Sequence, residues 1–319
     1  MISSNEDDSY TTNDLLKKID ELHPSLPTAS GIFIDVLKKN FKLAHEKVVE
    51  GDFMTHDMSV ALDHLWGFIR YDKLTLESGN RQSKEKAIKW RFRRSLHVHF
   101  DKTLDDVLIS FLRWSSVAVH GIEGNFLMNV NKAFRRLETY SRWLENDSHL
   151  FYPLNAHFEM NAQNVMKDHV QYNYDDSGRF LLWLDFSPRV MSNVQVLSSK
   201  ERYCALVWIM HLMMFDEKAQ RNGSIIVRNA SKMKTKDYFA YLSMDMCLSY
   251  YALSLSACSV KVVYDITIQA HWSICVFFST ISRFIPARVL ETIGIREDDG
   301  KEDFKWLCID QFIPNGFIS

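Results

Sequence analysis

The chain has 319 residues, a formal net charge of −2 at pH 7 and 46% hydrophobic residues. A chain of this length buries about three quarters of its unfolded surface, so it can form one large core or two domains. The composition excludes a wholly disordered, collagen-like or disulfide-knot protein. The absence of a basic excess argues against a dedicated nucleic-acid binder.

Three features of the sequence bear on the compartment. The longest apolar run, residues 205–215, is shorter than the ~18 residues that a membrane helix needs. The acidic, polar start of the chain is not typical of a secretory signal. The five cysteines are scattered through apolar segments, which indicates reduced thiols. We therefore expect a cytoplasmic protein.

The first half of the chain reads as helical. Residues 1–30 predict a mobile arm and a short helix, because little in them can be buried. Within residues 31–150, apolar side chains recur at helical spacing in several segments. Residues 129–145 show this spacing most clearly. The sequence therefore predicts an all-α N-terminal domain over residues 31–150.

The second half, residues 151–319, alternates between helical and strand-like segments. A turn signal at residues 174–179 precedes a strand-like run at 180–186. Further on, helical patterns alternate with strand-like ones, at residues 200–220 (helix), 224–227 (strand), 238–255 (helix), 260–268 (strand) and 271–284 (helix). This alternation predicts an α/β domain with a small, mainly parallel sheet.

Residues 81–94 form a basic segment that contains one acidic residue, Glu85. A solvent-exposed helix face explains it most simply. A surface that touches anionic lipid is the alternative, since each basic residue near such a membrane is worth about 1 kcal/mol. The basic side chains that would make this contact are Lys89, Arg91, Arg93 and Arg94, with further ones at Arg81, Lys84 and Lys86.

One short motif could hold a metal. On a strand, His97, His99 and Asp101 would share a face, and two imidazoles with a carboxylate suit zinc. Ordinary surface or core histidines remain the simpler interpretation. The sequence contains no CxxC pair, HExxH, Walker loop or GxSxG elbow. We therefore expect no enzyme, no cofactor and no metal.

The second half is also richer in apolar side chains than a single buried helix stripe requires. Within residues 271–285, Ile274, Phe277, Ile281 and Ile285 recur on one helix face. For any single residue, an ordinary core is the simplest explanation. Taken together, the methionines and aromatics around a small sheet indicate a cavity lined by adaptable side chains.

Several motifs occur in the order and spacing of a known family. Residues 105–113 resemble its first N-terminal signature helix, and residues 129–143 resemble the second. Residues 175–179 are similar to its D-x-x-G-R hairpin, and residues 220–223 to the Q-R-N-G before its central strand. Residues 261–293 follow its last strand and gate helix. The chain thus resembles the CRAL-TRIO lipid-transfer family, especially its tocopherol-transfer, clavesin and retinaldehyde-binding branch.

The resemblance implies a CRAL-TRIO N-terminal region from about residue 103 and a lipid-binding domain over residues 151–319, closed by a helical gate. It also implies which residues would bind the ligand: Tyr203, Leu206, Met210, Val227, Ile274, Phe277, Ile281 and Ile285. Of the four basic positions that hold a phosphoinositide headgroup in that branch, Lys261 and Arg288 match. The other two are Val263 and Thr292 here.

These observations lead to two hypotheses about function. The first is a monomeric carrier that binds a tocopherol-, retinoid- or phospholipid-like ligand under a movable gate and touches anionic membranes transiently. The second is a degenerate module of the same fold, whose cavity is filled by its own side chains and which acts as a protein-interaction adaptor. Neither hypothesis involves nucleic acid.

Overall fold

The structure is a computed structural model that describes residues 51–71, 96–118, 126–151, 169–187, 190–191, 197–231, 233, 237, 241–282 and 290–295. The predicted N-terminal arm and the basic segment at residues 81–94 lie outside these ranges. The described residues form seven α-helices and eight strands. None of these helices is long and apolar enough to cross a membrane.

Three helices dominate the described N-terminal residues: α1 (Met58–Tyr71), α2 (Leu104–Ser115) and α3 (Val130–Asp147). Helix α2 begins with a capping box in which Thr103 and Asp106 satisfy each other's backbone N–H groups. Helix α3 begins at Asn129, whose side chain accepts from the Lys132 N–H at 2.8 Å. The apolar faces of the three helices pack into one core.

The prediction of an all-α N-terminal region was wrong in one detail. Strands β1 (Met54–Thr55), β2 (Val117–Ala118) and β3 (Phe126–Asn129) form a small antiparallel sheet with the order β1-β3-β2. Two of these strands are only two residues long. An alternating pattern cannot be recognised over so few residues, so only the tertiary pairing reveals them.

The C-terminal residues form a five-stranded sheet with the order β4-β5-β6-β7-β8. Strands β5 to β8 run parallel, and β4 is antiparallel to β5. The prediction of an α/β region with a mainly parallel sheet is thus confirmed. The strands are β4 (Val170–Tyr174), β5 (Phe180–Asp185), β6 (Ser224–Asn229), β7 (Val262–Ile268) and β8 (Ile293–Ile295).

The turn between β4 and β5 was correctly predicted. The Asp175 carboxylate accepts from the backbone N–H groups of Ser177 at 3.0 Å and Arg179 at 2.8 Å. Gly178 has a φ of 69°, a conformation that favours glycine. Asp175 thereby fixes the hairpin and sets the start of β5.

Helices α4 (Ser199–Phe215), α5 (Glu217–Asn222), α6 (Met244–Ala252) and α7 (Trp272–Ser282) accompany this sheet, and a π-helix (Leu253–Ala257) extends α6. The helix predicted over residues 200–220 is therefore interrupted. Asp216 adopts an extended conformation between α4 and α5, and its carboxylate accepts from the Ala219 N–H at 2.7 Å. A new N-cap thus starts the second helix.

The two faces of the five-stranded sheet belong to different apolar clusters. Leu182, Leu184 and Ile226 join the main core, which also contains α2, α3 and α4. Side chains on the other face form a second cluster that consists of Leu181, Trp183, Ile225, Val227, Ile266 and Ile268. Alternate residues of a strand point to opposite faces, so the main-core face is the one that meets α4.

Arg136 links the N-terminal helices to the sheet region. Its Nε and Nη2 donate to the Cys258 carbonyl at 3.0 and 2.7 Å, and its Nη1 donates to the Leu255 carbonyl at 2.7 Å. The guanidinium also lies over the Trp114 ring at 4.5 Å. The carbonyls at the end of the π-helix are therefore satisfied by a side chain from helix α3.

Candidate functional site

A pocket lies at the carboxyl ends of β5 and β6, on the face of the sheet that meets α4. This is the edge at which open α/β sheets commonly bind ligands. The enclosed volume is about 30 Å³. The pocket is lined by Leu184, Phe186, Leu206, Arg228, Tyr241, Leu242, Cys247, Tyr250 and Tyr251.

Helix α4 supplies the inner wall. It begins with a capping box between Ser198 and Glu201, and Leu206 reaches the pocket from its second turn. Met210, one turn further on, receives a weak hydrogen bond from the Tyr250 hydroxyl at 3.8 Å. Tyr203 is fully buried, and its hydroxyl shares a 2.6 Å hydrogen bond with Ser249 of α6. The three α4 residues expected at the ligand therefore all pack toward α6.

Tyr241 is held at the pocket by a chain of hydrogen bonds. Arg202 Nε donates to the Tyr241 carbonyl at 2.7 Å. The Tyr241 hydroxyl lies 3.2 Å from His169 Nε2, and His169 Nδ1 lies 2.5 Å from the Asp185 carbonyl. Burial lowers the pKa of His169 to about 4. The neutral ring therefore donates from Nδ1 and accepts the Tyr241 hydroxyl at Nε2.

The carboxyl ends of β5 and β6 are joined by Asp185. Its carboxylate accepts from the Ser187 N–H at 2.8 Å and from Asn229 Nδ2 at 3.1 Å. The Ser187 N–H follows β5, where the sheet ladder no longer satisfies it, and the Asn229 side chain stands at the end of β6. The Asp185 carboxylate thus uses its hydrogen bonds to connect the ends of the two strands, so we do not assign it to ligand binding.

The sheet face beneath the pocket carries an ion pair, of which Arg228 lines the pocket and Asp265 lies beside it. Arg228 of β6 donates from Nη1 to the Asp265 carboxylate of β7. Strand register places Asp265 beside Ile226 and Thr267 beside Arg228, so all four side chains share this face. The same register extends the face to Ile293 and Ile295 of β8. We call Asp265, Thr267, Ile293 and Ile295 the floor strip; all four are half-buried.

Helix α7 was expected to be the gate. Ile274 is half-buried and packs against the main core, and Trp272 retains 37% of its exposure. The helix carries no charged residue, which would suit a fully buried helix. Its other described side chains are nevertheless mostly half-buried. The side chains of Phe277 and Ile281 lie outside the described part of the structure. So do Ile285, Arg288, Lys89, Arg91, Arg93 and Arg94.

Two further predicted site residues lie away from the pocket. Val227 belongs to the second cluster, on the face of the sheet opposite Leu206 and Arg228. The alternation of β6 explains this, because Ile226 and Arg228 take the positions on the pocket face. Lys261 is exposed and precedes β7, where its carbonyl accepts from the Ser224 N–H at 2.8 Å.

The enclosed pocket is much smaller than a lipid. A volume of about 30 Å³ is room for a water molecule or two. Tyr203, Leu206 and Met210 are between 0% and 5% exposed, so they currently fill the space beside α6. Tyr250 and Tyr251 are only half-buried. A larger ligand would therefore have to displace the tyrosine side of the pocket rather than the α4 side.

The structure does not bring together the residues that the sequence offered as a possible metal site. Residues Leu96–Phe100 form a 3₁₀-helix rather than a strand, so His97 is buried while His99 is exposed. Burial, and then the neighbouring His99, lowers the pKa of His97. Within the described ranges, no group of three or more His, Cys, Asp or Glu side chains could hold a metal ion.

Sequence reasoning missed the ion pair and the tyrosines of the pocket. Arg228 is the charged residue of strand β6, directly after the apolar run Ile225–Val227, and Asp265 is the acidic residue of β7. These two interruptions were a usable signal. What the sequence lacked was the register that makes them neighbours on one face.

Comparisons with models of protein families and with curated proteins found no match to this chain.

Proposed function

We propose that this protein binds one small hydrophobic molecule at the pocket and floor strip and carries it between membranes, in a CRAL-TRIO-like arrangement. The observation that carries the proposal is the pocket itself. Apolar and aromatic side chains from two helices meet the carboxyl ends of two parallel strands there, around one polar pair. Apolar walls with a few placed polar groups are the usual composition of a small-molecule site.

Binding would enlarge the pocket toward the half-buried floor strip. The tyrosines of α6 would move aside, while the α4 wall, which is almost fully buried, would stay in place. Enclosing ~300 Å² of apolar ligand surface at ~25 cal/mol/Å² would give about 7 kcal/mol before ordering costs. The free energy gained by enclosing the ligand would thus exceed the cost of displacing the two tyrosine side chains.

Helix α7 is suited to be the part that moves. An uncharged helix that is only half-buried loses little when its core contacts are replaced by contacts with lipid. The barrier to ligand exchange would therefore be lower when the protein is in contact with a bilayer than when it is free in water. Trp272, which is partly exposed at the start of α7, is a suitable first contact with the interface.

The small volume of the pocket favours a second candidate function. A module of this fold whose cavity is filled by Tyr203, Leu206 and Met210 would bind no cargo and would act as a protein-interaction adaptor. The two candidates differ in one measurable property, which is the presence of a lipid on the protein.

The test combines native mass spectrometry of the purified full chain with uptake of a fluorescent phospholipid and a fluorescent fatty alcohol. The carrier is expected to bind one probe molecule per chain. Leu206→Trp, which fills the pocket, should weaken binding at least about tenfold because it removes space for the ligand. A protein that carries no lipid and takes up neither probe would favour the adaptor.

Leu212→Trp is the matched control. Leu212 lies on the same helix and is partly buried in the main core, but it does not line the pocket. Its replacement should alter the free energy of unfolding by a similar amount and leave uptake unchanged. Equal loss of uptake in both variants would trace the effect to stability and contradict the assignment of the pocket.

A further inference from the structure

The ion pair on the sheet face beneath the pocket is not explained by stability. The side chains of Arg228 and Asp265 are 22% and 23% exposed, so both charges are mostly removed from water. Removing two charges from water costs several kcal/mol for each ion, and well-packed apolar residues in their place are often as stable or more so. Their neighbours on this face include Leu184, Leu206 and Ile226, which are apolar.

Arg228 lines the pocket, and Asp265 is its partner on the same face of the sheet. A guanidinium has five N–H donors, and within the described residues the Arg228 group uses Nη1 for one bond, to Asp265 Oδ1. A carboxylate has two acceptor oxygens, and the bond from Arg228 is made to Oδ1 of Asp265. A donor and an acceptor of opposite charge thus lie side by side on one face of the sheet, with the donor in the lining of an apolar pocket.

We propose that this pair selects a ligand whose polar group is neutral and both donates and accepts a hydrogen bond, a lipid alcohol, over a fatty acid or a fatty amine. This inference rests on the proposed function. A hydroxyl accepts from Arg228 and donates to Asp265 at once. A carboxylate is attracted by Arg228 but repelled by Asp265, and an ammonium group meets the reverse arrangement.

Each charged ligand would also have to lose its own hydration. An alcohol gives up far less on entering the pocket than a carboxylate or an ammonium group does. The neutral pair offers neither ion a net charge to offset that loss. Because hydrogen bonds to charged groups are stronger than neutral ones, the alcohol should bind about ten- to hundredfold more tightly than either ion.

The test compares three ligands with the same chain: hexadecanol, hexadecanoate and hexadecylammonium. Each displaces the neutral fluorescent probe N-phenyl-1-naphthylamine from the full-length protein at neutral pH, below its aggregation concentration. The wild type is expected to rank hexadecanol first, by at least about tenfold. A wild type that prefers hexadecanoate or hexadecylammonium, or binds all three equally, overturns the inference without any variant.

Charge variants make the ranking specific to the pair. Asp265→Asn should move hexadecanoate to first place, and Arg228→Gln should move hexadecylammonium there. The double variant, which is neutral again, should restore the alcohol. Arg228→Met combined with Asp265→Leu keeps the face apolar and foldable but should abolish the preference for a hydroxyl. A ranking that is the same in all variants contradicts the role of the pair.

Glu217→Gln is the control for a change of carboxylate to amide. Glu217 is 60% exposed and pairs with Arg221 on helix α5, away from the pocket. This variant should keep the wild-type ranking. If neither the probe nor any of the three ligands binds to the wild type, the proposed function itself fails and the inference falls with it; a changed order among ligands that do bind overturns the inference alone.

Discussion

Polar groups lie among apolar side chains in two regions, the junction between α3 and α4 and the carboxyl ends of β5 and β6, which we call the open end of the sheet. The two regions differ in how their polar groups are satisfied. At the junction, the Tyr140 hydroxyl donates to His211 Nε2 at 2.7 Å, and His211 Nδ1 donates to the Val207 carbonyl at 2.8 Å. Both side chains are 0% exposed. At the open end, Arg228 and the floor strip are only partly buried.

The two regions differ in how completely the protein itself satisfies its polar groups. In the junction, every donor of the chain Tyr140–His211–Val207 has an acceptor inside the protein, so the network specifies how two helices pack. At the carboxyl ends of the strands, Arg228 Nη1 donates to Asp265, and this is the hydrogen bond that the described residues provide for the two charged groups. A group whose capacity faces a cavity is available to something that enters the cavity.

The largest effect on stability is expected at Arg136 of helix α3, which is buried against the end of the π-helix. Burial lowers the pKa of Arg136 to about 9, so it stays charged at neutral pH. Arg136→Met should lower the free energy of unfolding by about 3 kcal/mol or more, because the Leu255 and Cys258 carbonyls lose their donors. Chemical denaturation measures this. Arg221→Met, an exposed pair on α5, should change it by less than about 0.5 kcal/mol.

The buried histidines predict acid sensitivity of nearly the same size. Burial lowers the pKa of His169 and of His211 from 6.5 to about 4. Below about pH 6.5 the unfolded chain therefore binds protons that the folded protein does not. The contribution is complete above pH 6.5 and is lost as the pH falls toward 4, by about 3 kcal/mol for each group.

Denaturation curves collected from about pH 7 down to about pH 5 test this slope in a range where most carboxylates have not yet titrated. His211→Gln should remove roughly half of the pH dependence even if it lowers stability at every pH. An unfolding free energy that stays constant over that range would contradict the buried, neutral state of both rings.

Removal of the Tyr140 hydroxyl tests the junction between α3 and α4. Tyr140→Phe should lower the free energy of unfolding by about 1–3 kcal/mol, because it leaves His211 Nε2 buried without a donor. Tyr172→Phe, at an exposed position of β4, is its control and should be close to neutral. A cost near zero for Tyr140→Phe would show that the junction tolerates an open hydrogen bond.

The smallest effect is expected on the floor strip. Thr267→Val should change the free energy of unfolding by less than about 0.5 kcal/mol, because Thr267 is only half-buried and water can reach this face. The same change should alter alcohol binding about threefold or more, since it makes the floor beside Arg228 less polar. Parallel denaturation and displacement experiments measure both. A cost equal to that of Tyr140→Phe would remove the distinction between the two regions.

Much of the fold could be predicted because its signals are local. The Asp175 turn, the β-rich segment that became β7 and the amphipathic helix α3 each depend on residues within one element. The break at Asp216 and the two-residue strands β1 and β2 were missed. These features arise from a single cap or from pairing with β3, which a periodic pattern does not record.

The candidate site was predicted less completely than the fold. Leu206 lies at the pocket as expected from the resemblance, whereas Val227 lies on the other face of the sheet. The reason is that a one-residue difference in the reading of a strand moves a side chain to the opposite face. The family resemblance itself stays a prediction.

The sequence by itself determined the alternation of helices and strands, the apolar excess around the small sheet and the uncharged character of helix α7, because each depends on which residues are near one another along the chain. Only the tertiary structure decided that Arg228 and Asp265, 37 positions apart, pair on the sheet face beneath the pocket. It also decided that Tyr140 and His211 form a buried hydrogen bond. Both outcomes depend on strand register and helix packing, which bring together residues that no local pattern connects.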